Sequence, residues 1–236
     1  MKTSRLLLLA ATAVVLRAAE LRPVRVVVMI DQTGSTLATR VPTLEVADFA
    51  DLLDLLLQNG GEIAVGTIRD RSNRPLLRCR VDQKPIRYAK PPIEKNVFIR
   101  QKLMRAYLAE KGKEDQLEAA WQDQAQQKLE PFRQQLHDLL NAPLAGRTDI
   151  YGALLRADLF LAEPEDGWRQ PTRRFAIFHS DGIDNVRGPS TAMRSGAAFL
   201  VVNGSASLGA LSALNPTRLE SFNAAVRYVI SHAKEE

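Results

Sequence analysis

The feature that most limits the fold of this chain is the apolar run VRVVVMI at 24–30, which ends at Asp31. β-Branched and other apolar side chains fill the run, and only Arg25 interrupts it. A half-exposed strand alternates apolar and polar residues, so a nearly continuous run predicts a strand buried on both faces. Such strands are typical of the interior of a parallel sheet, whose strands are joined by crossover helices.

Helix and strand patterns alternate along the rest of the chain. Apolar residues recur at helical spacing from Val46 to Leu56, and Asn59-Gly60-Gly61 predicts the end of that helix. Further strands are predicted at EIAVGTIRD (62–70), at its hairpin partner PLLRCRV (75–81), at RRFAIFH (173–179) and at AAFLVVNG (197–204), with helices around Tyr151–Leu159 and over 217–233. This order predicts a Rossmann-like α/β fold: a central, mostly parallel sheet with one antiparallel edge strand and helices on both faces.

The segment 84–142 has a different character and is predicted to be a helical insertion. The proline-rich stretch KPIRYAKPP precedes two predicted helices, 93–110 and 114–141, with KGKED (111–115) as the turn between them and a kink or restart at Pro131. Apolar residues of the second helix fall on one stripe. The segment is interpreted as a helical hairpin packed on the core, and the alternative is a free coiled-coil arm that recruits a partner.

Charge and composition exclude several classes of protein. The formal net charge is +5, and five basic residues against one acid before Asp31 supply +4 of it. A nucleic-acid-binding protein should carry its basic excess on the folded body, so this class is not predicted. One cysteine excludes an intramolecular disulfide and a cysteine-rich zinc site, and three separated histidines make a zinc hydrolase an unfavoured hypothesis.

The N-terminus resembles an export signal. Lys2 and Arg5 precede an apolar stretch from Leu6 to Leu16, which has the length of a signal-peptide core and is too short to span a membrane. Residues 1–19 are therefore predicted to be a signal peptide or an uncleaved apolar arm, and 20–236 to be one domain. The predicted location is periplasmic or extracellular, or cytoplasmic if the segment is not a signal.

Acids and hydroxyls follow the predicted strands at three places. Asp31, Thr33 and Ser35 follow the first strand, Thr148 and Asp149 precede the helix at Tyr151, and Ser180-Asp181-Gly182 follows RRFAIFH with Asp184 nearby. Ligands of a parallel sheet gather at the carboxyl ends of its strands, so these loops are expected to converge. A set of oxygen ligands selects Mg²⁺, Mn²⁺ or Ca²⁺ over zinc or copper. Because hydroxyl ligands are neutral, such an ion would accept a further oxygen from water or from a partner's carboxylate.

These residues resemble the von Willebrand factor A domain with its metal-ion-dependent adhesion site, written as Asp-x-Ser-x-Ser, a distant Thr and a distant Asp. The matching residues are Asp31, Thr33, Ser35, Thr148 in GRTDIYGALLRA and Asp181 in FAIFHSDGIDN. The resemblance covers 24–83 and 143–233 and implies a Mg²⁺ site, or one for Mn²⁺ or Ca²⁺. It also implies a non-enzymatic, metal-dependent adhesion or scaffold domain that captures an Asp or Glu of a protein partner.

The chain departs from the family pattern at two places. Thr33 stands where the family has Ser, which keeps the hydroxyl and adds a methyl group. The insertion 84–142 is longer than the family needs. The alternative interpretation of all five residues is structural: Ser35 would cap a helix, Asp181-Gly182 would form a turn, and the metal site would be degenerate.

A second resemblance points to catalysis. DQTGSTL is similar to DKTGT, the phosphorylation motif of P-type ATPases in the haloacid-dehalogenase-like superfamily, and SDGIDN is similar to that group's GDGxND. This resemblance implies a Mg²⁺-dependent phosphatase in which Asp31 is the nucleophile and Asp181 and Asp184 hold the ion. Gln32 in place of Lys and the lack of an acid two residues after Asp31 count against it.

Overall fold

The structure is a computed structural model that describes residues 22–39, 41–72, 74–87, 90–186, 193–202 and 208–233. The predicted signal peptide or apolar arm at 1–19 lies outside these ranges. Over the described residues, none of the helices has both the length and the apolar character needed to cross a bilayer.

A six-stranded sheet forms the centre of the domain. Its strands are β1 (Val24–Asp31), β2 (Gly61–Ile68), β3 (Leu77–Val81), β4 (Arg173–His179), β5 (Ala198–Val202) and β6 (Thr217–Leu219). They lie in the order β3-β2-β1-β4-β5-β6, and only the β2–β3 edge pair is antiparallel. The helices are α1 (Gly34–Ala38), α2 (Ala50–Asn59), α3 (Val97–Leu140), α4 (Ile150–Leu161) and α5 (Phe222–Ala233), with 3-10 helices at Val46–Phe49 and Gly209–Leu214. The predicted α/β fold class is confirmed.

β1 is buried along its whole length, as its apolar run predicted. Val26, Val28 and Ile30 face a core formed with α2, α5 and the C-terminal part of α3. Val27 and Met29 face a second core, formed with α4 and the 3-10 helix Gly209–Leu214. Successive side chains of a strand point to opposite faces, so an apolar residue at nearly every position lets β1 fill both cores.

Arg25, the one polar residue of the run, is also buried, with 1% of its surface exposed. Its guanidinium donates to the carbonyl oxygens of Glu163 (2.6 Å) and Pro164 (3.3 Å) beyond α4. It also lies 3.6 Å from the Glu62 carboxylate, which pairs in turn with Arg78 at 2.8 Å. A buried charge is tolerated only when it is paired and hydrogen-bonded, and these contacts meet that condition.

The predicted helical hairpin in the insertion is wrong, because Val97–Leu140 is one continuous helix of 44 residues. At the expected turn KGKED, the Lys111 ammonium lies 2.5 Å from the Asp115 carboxylate one turn later. Gly112 costs the helix only about 1 kcal/mol, which is too little to end it. Pro131 removes one backbone hydrogen bond from Gln127, but both residues are exposed, so water can bond to that carbonyl.

The structure also differs from the predictions in how α3 packs and in where the C-terminal helix begins. Ala125, Leu129, Phe132 and Leu136 are the buried residues of α3, so only its C-terminal part packs on the core. The last predicted helix starts late, at Phe222, because Thr217–Leu219 pairs with β5 as the edge strand β6. A three-residue edge strand has too few positions to show a period in sequence.

The buried pair of Arg25 and Glu62 is predicted to contribute to the stability of the fold. We expect Glu62→Ala to lower the free energy of unfolding by roughly 3–5 kcal/mol, because it removes the carboxylate beside a buried guanidinium. Urea denaturation monitored by circular dichroism measures this change. The control is Glu130→Ala, which removes a pair with Arg133 whose acid is 79% exposed, and it should change stability by less than about 1 kcal/mol. Equal effects of the two variants would contradict the role of the buried pair.

Candidate metal centre

The predicted site lies at the point where the strand order of the sheet reverses. From β1 the chain moves to β2 on one side, and β4 lies against the other side of β1. The loops after β1 and β4 therefore diverge and leave a crevice at the carboxyl ends of these two strands, where open α/β sheets bind their ligands. Asp31 is the last residue of β1, and Asp181 lies two residues beyond the end of β4.

Thr33 is at the centre of a cluster of oxygen atoms. Its hydroxyl donates to Asp31 Oδ1 at 2.6 Å and lies 3.0 Å from Ser35 Oγ. The hydroxyl of Thr148 donates to the same Thr33 oxygen at 3.1 Å. The side chains of Thr33 and Thr148 are almost fully buried, whereas Ser35 is partly exposed. The structure thus brings four of the five predicted residues into direct contact.

Backbone hydrogen bonds hold the loop of Thr148 against the loop of Thr33. Ala145 N donates to Gln32 O at 2.8 Å, and Gly34 N donates to Ala145 O at 3.1 Å. The loop after β4 is tied in as well, because Thr148 N donates to the Asn185 side chain at 2.7 Å. Three loops distant in sequence are therefore fixed to one another by short bonds.

Asp181, the fifth predicted residue, enters from the loop after β4. Its carboxylate accepts from Ile183 N at 2.9 Å and from the Thr39 hydroxyl at 3.1 Å. Gly182 follows at a φ of +81°, and a Cβ there would lie 2.4 Å from the carbonyl oxygen of Leu208. Only glycine fits this position without strain, so the turn itself requires Gly182.

Asp31 is a buried carboxylate without a basic partner among the described residues. Its other oxygen accepts from Ser180 Oγ at 2.7 Å, so its direct neighbours are hydroxyl groups. Burial raises the pKa of Asp31 to about 6, the nearby charge of Asp181 adds to the rise, and the hydrogen bonds from Thr33 and Ser180 oppose it. At pH 7 the site therefore holds a desolvated negative charge that a cation would stabilise.

Three residues of this site were not among the predicted site residues. Ser180 binds Asp31, and Thr39 binds Asp181 from the turn after α1. Gln32 Nε2 donates to the carbonyls of Leu139 (2.7 Å) and Leu140 (3.2 Å) and so ties the end of α3 to this loop. Ser180 had a sequence signal, since it directly precedes Asp181. The partner of Gln32 is more than 100 positions away and had none.

Two further acids of the loops at the strand ends, Asp184 and Asp149, have structural partners. Asp184, expected in the phosphatase hypothesis to hold magnesium with Asp181, accepts from Ile150 N at 2.9 Å at the start of α4. Asp149, the N-cap of that helix, accepts from Gly152 N at 2.8 Å and from Ser72 N at 3.0 Å. Both carboxylates thus have structural contacts in the loops that support the cluster.

The donor set fits a hard cation held partly by hydroxyl groups. Among the described residues, no three side chains of His, Cys, Asp or Glu lie together in a way that could hold a metal ion. Asp31 and Asp181 supply two carboxylates, so further protein ligands would have to be the hydroxyls of Thr33, Ser35 and Thr148. All are oxygen donors, which are the ligands that Mg²⁺, Mn²⁺ and Ca²⁺ prefer.

The raised pKa of Asp31 predicts how stability depends on pH without divalent ions. The folded protein keeps this proton up to about pH 6, while the unfolded chain loses it near pH 3.8. The stabilisation that this proton provides is fully present below the pKa of Asp31 in the unfolded chain. It is lost as the pH rises through the pKa of Asp31 in the folded protein. Asp31→Asn lacks this loss, so its stability relative to the wild type should increase by roughly 2–2.5 kcal/mol between pH 4 and pH 7.5.

Urea denaturation of both proteins in EDTA, at several pH values, measures that difference. If the Asp31 carboxylate instead stabilises a turn, the stability of Asp31→Asn relative to the wild type should fall between pH 4 and pH 7.5. A difference in stability between Asp31→Asn and the wild type that does not rise between pH 4 and pH 7.5 would contradict the desolvated charge described above.

Comparisons with known proteins add a likeness of fold at a low level. No protein-family model and no curated protein sequence matches the chain. Among solved structures, the pilus adhesin SpaC from Lactobacillus rhamnosus GG, in an open conformation, is similar, with a TM-score of 0.45 and 11% identity. The match covers 90% of this chain and 30% of the adhesin, so the chain spans less than a third of that protein. A likeness at this level carries no argument about what this chain binds.

Proposed function

We propose that this chain is a non-enzymatic binding domain of the von Willebrand factor A type. It uses Mg²⁺, or Mn²⁺ or Ca²⁺, to capture an acidic side chain of a protein partner. Asp31, Thr33, Ser35, Thr148 and Asp181 would hold the ion, and the partner's carboxylate would complete its coordination. The ion supplies a positive centre that attracts this carboxylate, while the residues of the chain position the ion and exclude other ligands.

The observation that carries the proposal is the buried Asp31 carboxylate surrounded by hydroxyl groups. Side chains that only cap helices or turns have no need to bury an acid beside a second acid. Burying a charge without a compensating partner costs several kcal/mol, and a bound cation removes that cost. Burial, together with the charge of Asp181, raises the pKa of Asp31, as expected for a carboxylate with no positive charge beside it.

The spacing of the hydroxyl oxygens is compatible with a small octahedral cation such as Mg²⁺. Mg²⁺ binds six oxygens at 2.0–2.1 Å in an octahedron, so neighbouring ligands lie about 3 Å apart. The Thr33 oxygen lies 3.0 Å from that of Ser35 and 3.1 Å from that of Thr148. The Thr33 oxygen thus lies at the separation of adjacent octahedral ligands from each of the other two oxygens, and this is also an ordinary hydrogen-bond distance.

The surroundings of the cluster leave room for a protein partner. Gly34 and Gly146, one beside Ser35 and one near Thr148, are exposed and have no side chain within 4 Å of the position where a Cβ would stand. Leu144 and Ile183, on the loops beside the cluster, are 48% and 46% exposed. Arg147 is exposed next to Thr148. An approaching acidic segment would meet an open backbone, apolar contacts and a positive charge.

A thermal-shift titration with MgCl₂ and MnCl₂ tests the metal site. At about 100 times the dissociation constant, a ligand of the folded state alone adds about 2.7 kcal/mol, which raises Tm by roughly 5–10 °C in a chain of this size. We expect this rise in the wild type and its loss in Asp31→Asn and in Thr148→Val, which removes one hydroxyl at nearly constant volume.

The matched control is Asp158→Asn, which changes a buried carboxylate that accepts from Arg194 N and Ser195 N away from the cluster. This variant should lose stability and keep the full metal-dependent rise. A wild type that shows no shift with any divalent ion would exclude the metal-dependent function. Release of phosphate from p-nitrophenyl phosphate that is abolished in Asp31→Asn would instead favour the phosphatase.

A further inference from the structure

The N-terminal part of α3 extends away from the core and forms an arm. None of its side chains from Val97 to Gln124 is buried. At 1.5 Å per residue this part is about 40 Å long. The connector that precedes α3 runs along this part of the helix: Trp121 donates to Asp82 O at 2.9 Å, and Lys84 pairs with Glu118 at 2.6 Å.

The tip of this arm, residues 90–105, exposes large apolar side chains. Ile93 is fully exposed and Phe98 is 82% exposed. Val97, Ile99 and Leu103 are each between 44% and 50% exposed. Five exposed apolar residues within 11 positions form a cluster, whereas single exposed apolar residues are normal on a protein surface.

The same tip is strongly basic, while the stem of the arm, residues 106–123, is acidic. The tip has five basic residues against one acid, Glu94, for a net charge of +4; the five are Lys90, Lys95, Arg100, Lys102 and Arg105. The stem has two lysines against five acids, for a net charge of −3. The first turn of α3 contains no acidic residue, so the positive end of the helix dipole adds to the charge of the tip.

We propose that the tip of the arm binds the surface of a membrane that is rich in anionic phospholipids. Phe98, Ile93 and Val97 would enter the boundary between headgroups and acyl chains, and the basic side chains would contact headgroup phosphates. Apolar side chains next to basic ones are the combination by which a peripheral segment binds an anionic bilayer.

The arrangement of the apolar residues favours a membrane over a protein groove. Val97, Phe98 and Ile99 are consecutive, so they point in directions about 100° apart around the helix. A helix that packs in a groove presents a single stripe, whereas an end that is apolar on several sides fits a fluid apolar layer. Ile93, just before the helix, extends the apolar surface at its end.

A second copy of the chain fits less well, although the basic tip and acidic stem are complementary. Glu118 of the stem already binds Lys84 and Arg87 of the connector, and Asp115 binds Lys111. The stem also has only two large apolar residues that are strongly exposed, Leu108 at 57% and Leu117 at 61%. An antiparallel pair of arms would therefore place the apolar tip against a polar surface on which Asp115 and Glu118 already have basic partners.

The test uses a tryptophan placed in the tip of the full-length chain. We expect the emission of Phe98→Trp to shift to the blue when vesicles containing 30% phosphatidylglycerol are added, but not with vesicles of pure phosphatidylcholine. Brominated phosphatidylcholine, used as the other lipid of the anionic vesicles, should quench this emission. Leu117→Trp, on the stem of the same helix, is the matched control and should not respond. Trp121 and Trp168 also emit, so the signal is the difference between each variant and the wild type under the same conditions. That difference reports the surroundings of the introduced tryptophan.

Adding Lys95→Gln and Lys102→Gln to the Phe98→Trp chain tests the charges. Each basic residue near an anionic surface contributes about fivefold to binding, so the pair should weaken vesicle binding roughly 30-fold. No response of Phe98→Trp to anionic vesicles, or an equal response of Leu117→Trp, would overturn the proposal. A response to polyglutamate without one to vesicles would overturn it in favour of an acidic protein partner.

Discussion

The burial of β1 on both faces is the constraint on which the rest of the structure depends. The strand fills two cores at once and lies between β2 and β4, with its last residue at the reversal of the strand order. Asp31 is that residue, so its carboxylate is desolvated by the same packing that stabilises the sheet. The chain thus places a charge where water cannot fully solvate it and surrounds it with hydroxyl groups.

A set of cross-bonds then converts one buried acid into a preformed cluster. The loop of Thr148 is held to the loop of Thr33 through Ala145, and to the loop after β4 through Asn185. A cation would therefore find its oxygen ligands already close together. Gln32, between Asp31 and Thr33, also binds the last turn of α3. The long helix is consequently attached at one end to the candidate metal centre and carries the exposed basic tip at the other.

The alternation of patterns in the sequence was sufficient for the fold class, since a buried strand and an amphipathic helix have different periods. The insertion was not predicted correctly. Lys111–Asp115 and the exposed positions of Gln127 and Pro131 keep α3 continuous across two apparent stop signals. Gly112 costs only about 1 kcal/mol and Pro131 roughly 3 kcal/mol, and only the whole helix, anchored on the core through its C-terminal part, shows that these costs are overcome.

For the candidate site, the sequence by itself determined which oxygen-bearing residues follow which strands, because strand ends can be recognised locally. The five residues Asp31, Thr33, Ser35, Thr148 and Asp181 follow from that order together with the family resemblance. Only the tertiary structure decided that Ser180, Thr39 and Gln32 join them, and that Asp31 lacks a basic neighbour among the described residues. The physical reason is that hydrogen bonds and desolvation depend on contacts between distant segments, which leave no periodic pattern in the chain.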